Sequence, residues 1–196
     1  MRLSVVIPLY NEEAVFDALI KAIEEVFDGE TEFVLVDDGS RDATRELIEA
    51  TVNRDARYRG IIFSRNFGHQ AAVTAGMNAA RGKVVLVMDA DLQDPPHAGK
   101  QLVEHVEAGA DVAYGVRRKR KEGPLKRFAY WLYYRMLKAT SNLDLPLDAG
   151  DFAAMSRRVV DAMKALPERE RYPRGLRCFV GFKHEAVEYE RAARAA

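Results

Sequence analysis

Apolar, β-branched runs at Leu3–Ile7, Phe33–Val36, Gly60–Phe63 and Val84–Met88 alternate along the chain with stretches of helical period. That rhythm is the signature of βαβ units and a parallel sheet. The first, second and fourth runs are almost unbroken rather than alternating, which predicts strands buried on both faces. The fold class expected is therefore α/β, a mostly parallel central sheet flanked by helices. The first helix is predicted to start with Asn11 as its N-cap and to bury Val15, Leu19, Ile23 and Val26. The second follows Asp37-Asp38-Gly39-Ser40, with Ser40 or Asp42 as cap and Ala43, Leu47, Ile48 and Ala50 as its apolar side. The third follows Asn66-Phe67-Gly68-His69-Gln70 and ends at Arg81-Gly82, where glycine suits a C-terminal cap. A fourth helix, after Pro95-Pro96, runs through Leu102, Val103 and Val106 to Gly109, and Asp111–Gly115 returns as a strand. Leu125, Phe128, Leu132, Met136 and Leu137 recur at helical spacing, so an amphipathic helix is expected over about 123–140, with Tyr130, Trp131 and Tyr134 on its flanks. Asp151–Met155 reads as a short strand, Ser156–Ala165 as a helix and Cys178–Tyr189 as closing strands. No repeat or low-complexity linker interrupts residues 1–196, which are read as a single domain.

Composition narrows the picture. With 196 residues and 48% hydrophobic content, the chain can bury a full core, and a disordered protein is excluded. Lys+Arg 30 balances Asp+Glu 30, yet Val116–Lys138 holds nine basic residues and one acidic, so a block of +8 faces a remainder of −8. Such a basic block beside an acidic cleft is a meeting place for a metal, phosphates and an anionic surface. Cys178 is the only cysteine, which excludes an internal disulfide and the multi-cysteine zinc spacings and points to a reducing, cytoplasmic compartment. The N-terminus enters the first strand too directly for a signal peptide, and no run approaches the ~20 apolar residues of a membrane span.

The candidate chemistry lies at the strand ends. Val84–Met88 stops abruptly on Asp89-Ala90-Asp91-Leu92-Gln93-Asp94-Pro95-Pro96. In a parallel sheet this is the carboxyl edge, where ligands of open α/β sheets bind. If the backbone stays extended, residues i and i+2 share a side, so Asp89, Asp91 and Gln93 can converge on a hard cation such as Mg2+ or Mn2+ carrying a substrate phosphate. A turn rich in Asp and Pro explains the same residues equally well. The first strand ends in Pro8-Leu9-Tyr10-Asn11-Glu12 and the second in Asp37-Asp38-Gly39-Ser40, so three polar clusters meet on one edge. Tyr10 can stack on a base there, and Glu12 or Asp37 can accept base or ribose hydrogens. The chain has no G-x-G and no P-loop spacing, so phosphates must be held in another way. His69 can serve a phosphate or only the loop backbone. His97, His105 and His184 lack metal-ligand spacing, and Cys178 is expected to pack in the core.

Together, Pro8-x-Tyr10-Asn11-Glu12, Asp37-Asp38-Gly39-Ser40, Ser64-Arg65-Asn66-Phe67-Gly68-His69-Gln70, Asp89–Pro96, Gly150-Asp151-Phe152 and Arg174-Gly175-Leu176 resemble the inverting family-two glycosyltransferases. Within these, the chain is most similar to the polyprenyl-phosphate glycosyltransferases, the group of dolichyl-phosphate mannose synthase. The resemblance implies a GT-A, Rossmann-like fold, a nucleoside diphosphate sugar donor of the GDP-mannose or UDP-glucose type, Mg2+ or Mn2+, and a polyprenyl phosphate acceptor. It implies that Asp91 and Gln93 are metal ligands, that Asp89 with Ala90 holds the nucleotide, and that Pro8, Tyr10, Glu12 and Asp37 form the nucleoside pocket. It also implies that Arg117 handles phosphate and that Asp151 faces the sugar and acceptor.

Two departures stand out. Ala153 follows Gly-Asp-Phe where relatives often carry Arg, and the family's C-terminal Lys-Tyr segment and membrane helices do not follow before Ala196. A missing C-terminal anchor or a separate membrane-anchor protein is the expectation. The basic block beside the 123–140 helix has the composition of an interfacial element, which places the protein peripherally at the cytoplasmic face of an anionic membrane. Nucleic acid is the rival partner for that charge, and the acidic remainder and lack of an RNA-binding motif speak against it. A catalytically silent nucleotide-sugar-binding or membrane-docking module, and a glycosyltransferase with a soluble glycan acceptor, remain the alternative functions.

Overall fold

The computed structural model describes residues 1–27, 29–117, 149–168 and 171–191. The predicted amphipathic helix at 123–140 and the basic residues Arg118–Lys121 lie outside the described residues. Seven strands are present: β1 (Leu3–Leu9), β2 (Thr31–Asp37), β3 (Tyr58–Ile62), β4 (Val84–Val87), β5 (Val112–Arg117), β6 (Ala149–Ser156) and β7 (His184–Tyr189). They form one sheet in the order β3-β2-β1-β4-β6-β5-β7. All neighbours run parallel except around β6, which is antiparallel to both β4 and β5. The expected α/β class with a mostly parallel sheet is thus observed.

Every residue of β1, β2 and β4 is buried, as the unbroken apolar runs require. On one face, Val5, Ile7, Phe33, Leu35 and Leu86 pack with Phe16, Leu19 and Ile23 of α1 (Glu13–Val26), Ile48 of α2 (Thr44–Arg54) and Leu102, Val103 and Val106 of α4 (Pro96–Glu107). On the other, Val6, Val34, Val36, Val85 and Val87 meet Ala72, Val73 and Met77 of α3 (His69–Ala79) and Val159, Val160 and Met163 of α5 (Arg157–Lys164). The alternation of side chains along each strand therefore feeds two separate cores from one apolar run.

Several local expectations are corrected. Helix α1 is capped at Glu12 rather than Asn11, which adopts a left-handed φ of 54°. Its side-chain Oδ1 accepts the Arg41 N–H instead, so the residue joins two loops. Ala43 and Ala50 of the second helix are exposed, and the buried face is Thr44, Ile48 and Thr51. Asp42 sits one residue before the Ala43 cap and still accepts the Thr44 N–H at 3.1 Å. Helix α3 ends at Ala79, and Gly82 is no left-handed cap: its N–H donates to Ser4 Oγ at 2.6 Å, and a Cβ there would meet the Ser4 backbone at 2.5 Å. Cys178 falls not on a strand but in the short helix α6 (Pro173–Phe179), where it is half-buried.

Leu102 is 1% exposed and joins α4 to the sheet. Leu102→Ala should cost about 2–5 kcal/mol of unfolding free energy, because part of the vacated volume stays empty. Urea denaturation measures this; a loss below ~1 kcal/mol would show that α4 is not a cooperative part of the core.

Candidate active site

The sheet order dictates where polar residues go. Strands β1, β2, β3, β4, β5 and β7 end on one edge, and β6, running the other way, begins there. The edge thus receives Tyr10, Asp37 and Asp38, Asp89 and Asp91, Arg117, Asp151 and Tyr189. An open cavity of about 310 Å³ lies along it. Pro8 at the end of β1 and Tyr10 and Glu12 just after it line the cavity, as do Asp89, Ala90 and Asp91 after β4. Of the residues expected to form the nucleotide side, only Asp37 is absent from the lining.

Asp37 is 1% exposed, and its carboxylate accepts the Ser40 N–H at 3.0 Å. Asp38, the first residue after β2, lines the cavity in its place. Asp38 accepts the amides of Phe67 and Gly68, at 2.7 and 3.0 Å, and so ties the β2 loop to the loop before α3. Gly39 makes the close approach possible: at φ 70°, any Cβ would sit 2.3 Å from the Arg65 carbonyl carbon. Sequence reasoning named Asp37 for the nucleoside pocket and missed this clamp by Asp38. Asn66, Gly68, His69 and Ala72 reach the cavity through it.

Strand β4 stops at Val87, so Asp89–Gln93 is a loop and the extended-backbone argument for convergence does not hold. Leu92 takes a left-handed φ of 56°, and the Gln93 N–H donates back to Asp91 Oδ1 at 3.0 Å. Asp89 and Asp91 nevertheless share the cavity; Gln93 is half-buried and does not line it.

His69, the first residue of α3, faces two carboxylates. Its Nε2 lies 3.4 Å from Asp151 Oδ2 and 3.7 Å from Asp89 Oδ1. The Asp151 hydrogen bond raises its pKa above the usual imidazole value, outweighing partial burial, and the Asp89 charge adds to this. Gln70 Nε2 donates to the same Asp151 oxygen at 2.9 Å. Burial, the largest influence, pushes the Asp151 carboxyl up. The hydrogen bonds from His69 and Gln70, with the charges of His69 and Arg177, prevail and hold it below the ordinary range. Arg177, 2% exposed in α6, was not singled out from sequence as part of this site; it donates to Gly150 O and lies over the Tyr114 ring. Among the described residues, Gln70 Oε1 and Arg177 Nε, on two side chains of this Asp151 group, are buried polar atoms without a hydrogen-bond partner.

Asp89 shows the opposite electrostatics. Burial first, then the charges of Asp94, Asp91 and Asp151, raise its pKa against the relief that His69 gives. The edge therefore carries surplus negative charge around hard oxygen donors. No group of three or more His, Cys, Asp or Glu among the described residues is arranged to hold a metal unaided.

The sheet and its polar edge are shared with glycosyltransferases of the GT-A fold. Glucosyl-3-phosphoglycerate synthase from Mycobacterium tuberculosis, solved with Mn2+, UDP and phosphoglyceric acid, superposes with a TM-score of 0.70 at 20% identity, covering 100% of this chain and 71% of that one. Residues 4–163 match Glycosyl transferase family 2, and the chain belongs to that family. An uncharacterized glycosyltransferase of Bacillus subtilis (strain 168), YkcC, is 44% identical over 98% of this chain and 61% of its own length. The bactoprenol glucosyl transferase of Shigella phage SfV is 38% identical over 100% of this chain and 65% of its own. The chain thus spans under two thirds of the length of these relatives.

The raised His69 pKa has a sign that can be checked. Its folded value exceeds its unfolded one, so the His69–Asp151 pairing contributes fully below about pH 6.5 and fades as pH rises through the folded value. NMR titration should place the His69 ring above the ordinary imidazole value, and Asp151→Asn should bring it down. A His69 ring titrating at or below that value in the unmodified protein would dismiss the pairing.

Proposed function

We propose that this chain is the catalytic unit of an inverting glycosyltransferase that moves a hexosyl group from a nucleoside diphosphate sugar to a polyprenyl phosphate. The observation that carries the choice of acceptor is that Asp151 is already engaged: Gln70 Nε2 donates to its Oδ2 at 2.9 Å, and His69 Nε2 lies 3.4 Å from the same oxygen. A hydroxyl acceptor needs a base within reach to take its proton. A carboxylate held in this way is poorly placed for that task. A phosphate acceptor is already anionic and needs orientation more than deprotonation. The bactoprenol glucosyl transferase among the relatives supports the same class of acceptor, and a soluble glycan is accordingly the weaker reading.

In the proposed reaction, an acceptor phosphate oxygen attacks the anomeric carbon as the bond from that carbon to the donor's diphosphate oxygen breaks. The bonding pair leaves with the nucleoside diphosphate, and configuration inverts. Pro8, Tyr10, Glu12 and Asp38 would hold the nucleoside, with Asp37 bracing the loop behind. Asp89 and Ala90 would hold the nucleotide side, and Asp151 with His69 would orient the sugar and acceptor. Asp91 and Gln93, with Gln93 turned from its present position, would hold Mg2+ or Mn2+. The bound cation would act as a Lewis acid on the leaving diphosphate. Arg117 offers a planar guanidinium for paired, charge-assisted bonds to the same phosphates.

A polyprenyl acceptor is met at a bilayer surface, so we place the enzyme peripherally at the cytoplasmic face of an anionic membrane. The Arg117–Lys121 block supports this contact. No helix among the described residues is long and apolar enough to cross a membrane. An anchor, whether part of a longer chain or a separate protein, would add a second attachment.

Radiolabelled UDP-glucose and GDP-mannose, with polyprenyl phosphate and Mn2+, test the reading directly. Label should enter an organic-soluble lipid and be blocked by EDTA. Donor binding with no lipid product would favour a silent module. Asp91→Asn should cut transfer on the order of a thousandfold, several kcal/mol of barrier, while leaving the melting temperature in place. Near-normal turnover would remove Asp91 from the metal site. For the membrane contact, wild type should sediment with anionic vesicles at low salt, and neutralising Arg118, Lys119, Arg120 and Lys121 together should release it. Indifference of the wild type to such vesicles would sink that part.

A further inference from the structure

Tyr189, the last residue of β7, stands between two parts of the proposed site that are far apart in sequence. Its backbone pairs in register with Arg117 at the end of β5. Its ring is 7% exposed and packs against Phe152, which follows Asp151, at 5.2 Å between centroids. Gly115 provides the slot: a Cβ there would come within 2.7 Å of both the Phe152 and the Tyr189 rings. The ring is thus fixed by packing, and its hydroxyl is aimed rather than free to wander.

That hydroxyl donates to Asp94 Oδ1 and accepts from the Arg117 side chain. Asp94 is 2% exposed and has Arg191 Nε at 3.6 Å as a second partner. It lies one residue beyond Gln93 and three beyond Asp91, on the same short loop. Burial and then the Asp94 bond push the Tyr189 phenol up to about 12, so the hydroxyl remains a donor at neutral pH. A phenol in this setting has one hydrogen to give and lone pairs to receive, and both capacities are used.

We propose that Tyr189 is a positioning residue that locks the Arg117 guanidinium to the Asp89–Asp94 loop, so that Arg117 and Asp91 meet the leaving diphosphate as one preorganised unit. This rests on the reading of Arg117 and Asp91 as the diphosphate-binding pair. Unlike a residue that merely fills the core, Tyr189 acts only through Arg117. Removing the hydroxyl should therefore matter only while Arg117 is present, the behaviour that a double-mutant cycle isolates.

The test compares wild type, Tyr189→Phe, Arg117→Ala and the double variant, each with Mn2+. Affinity is measured for UDP and GDP, and for uridine and guanosine, taking whichever pair the wild type binds more tightly. Tyr189→Phe keeps the ring in its slot. It should weaken nucleoside diphosphate binding about tenfold and lower kcat for transfer by a similar factor, with nucleoside binding unchanged. In the Arg117→Ala background the same change should cost less than twofold. Equal losses in both backgrounds, or equal weakening of diphosphate and nucleoside, would mean that Tyr189 only packs the core. If Arg117→Ala binds diphosphate as wild type does, the phosphate role of Arg117 falls, and this proposal with it. If Arg117→Ala is impaired and Tyr189→Phe is not, the coupling alone falls. Should Tyr189→Phe fail to fold, Asp94→Ala, which removes the acceptor of the Tyr189 hydroxyl, is put through the same cycle with the same two outcomes decisive.

Discussion

A strand covered by helices on both faces has no room for a polar side chain along its length, so its polar residues are driven to its ends. In this chain that constraint acts on β1, β2 and β4 together, each buried at every position. Because those strands are parallel and adjacent, their polar ends fall on one edge. The antiparallel β6 adds Asp151 from its beginning, since reversing a strand brings its first residues to the edge where its neighbours finish. The acidic cleft is a consequence of how the core is covered.

Concentrating carboxylates in this way costs stability, and the structure manages the cost unevenly. Around Asp151 the negative charge is answered by His69, Gln70 and the buried Arg177. Around Asp89 the answer is only partial: His69 relieves it, yet burial and three neighbouring carboxylates still raise its pKa. Groups whose environments push their pKa values apart within one cleft are assigned different tasks.

The loops bearing these groups are held by contacts of long sequence separation. Asp38 clamps the backbone at Phe67 and Gly68, and Gly39 lets the Arg65 backbone lie against it. Asp94 and Tyr189 join the β4 loop to the last strand across 95 residues of sequence. Loops are ordinarily the mobile part of such a fold, and tying them to each other through buried carboxylates limits the geometries the cleft can adopt.

The chain's periodicity alone determined the α/β class, the two-faced burial of the central strands and the presence of acidic clusters at their ends, because burial is written into every residue of a strand. The family motifs likewise marked Tyr10, Glu12, Asp89, Asp91 and Asp151, residues the structure brings to one edge. Three-dimensional packing decided the rest. Whether Asp37 or Asp38 faces the cavity depends on where the strand ends relative to its pleat, a one-residue question that composition does not answer. The turn at Leu92 withdraws Gln93, and Asn11 joins loops instead of capping a helix, because partners such as the Arg41 amide exist only once the chain is folded. Arg177 and Tyr189 lack a recognisable pattern in sequence for the same reason. Arg177 meets Gly150 27 positions away and Tyr189 meets Asp94 95 positions away, and only the folded chain makes them neighbours.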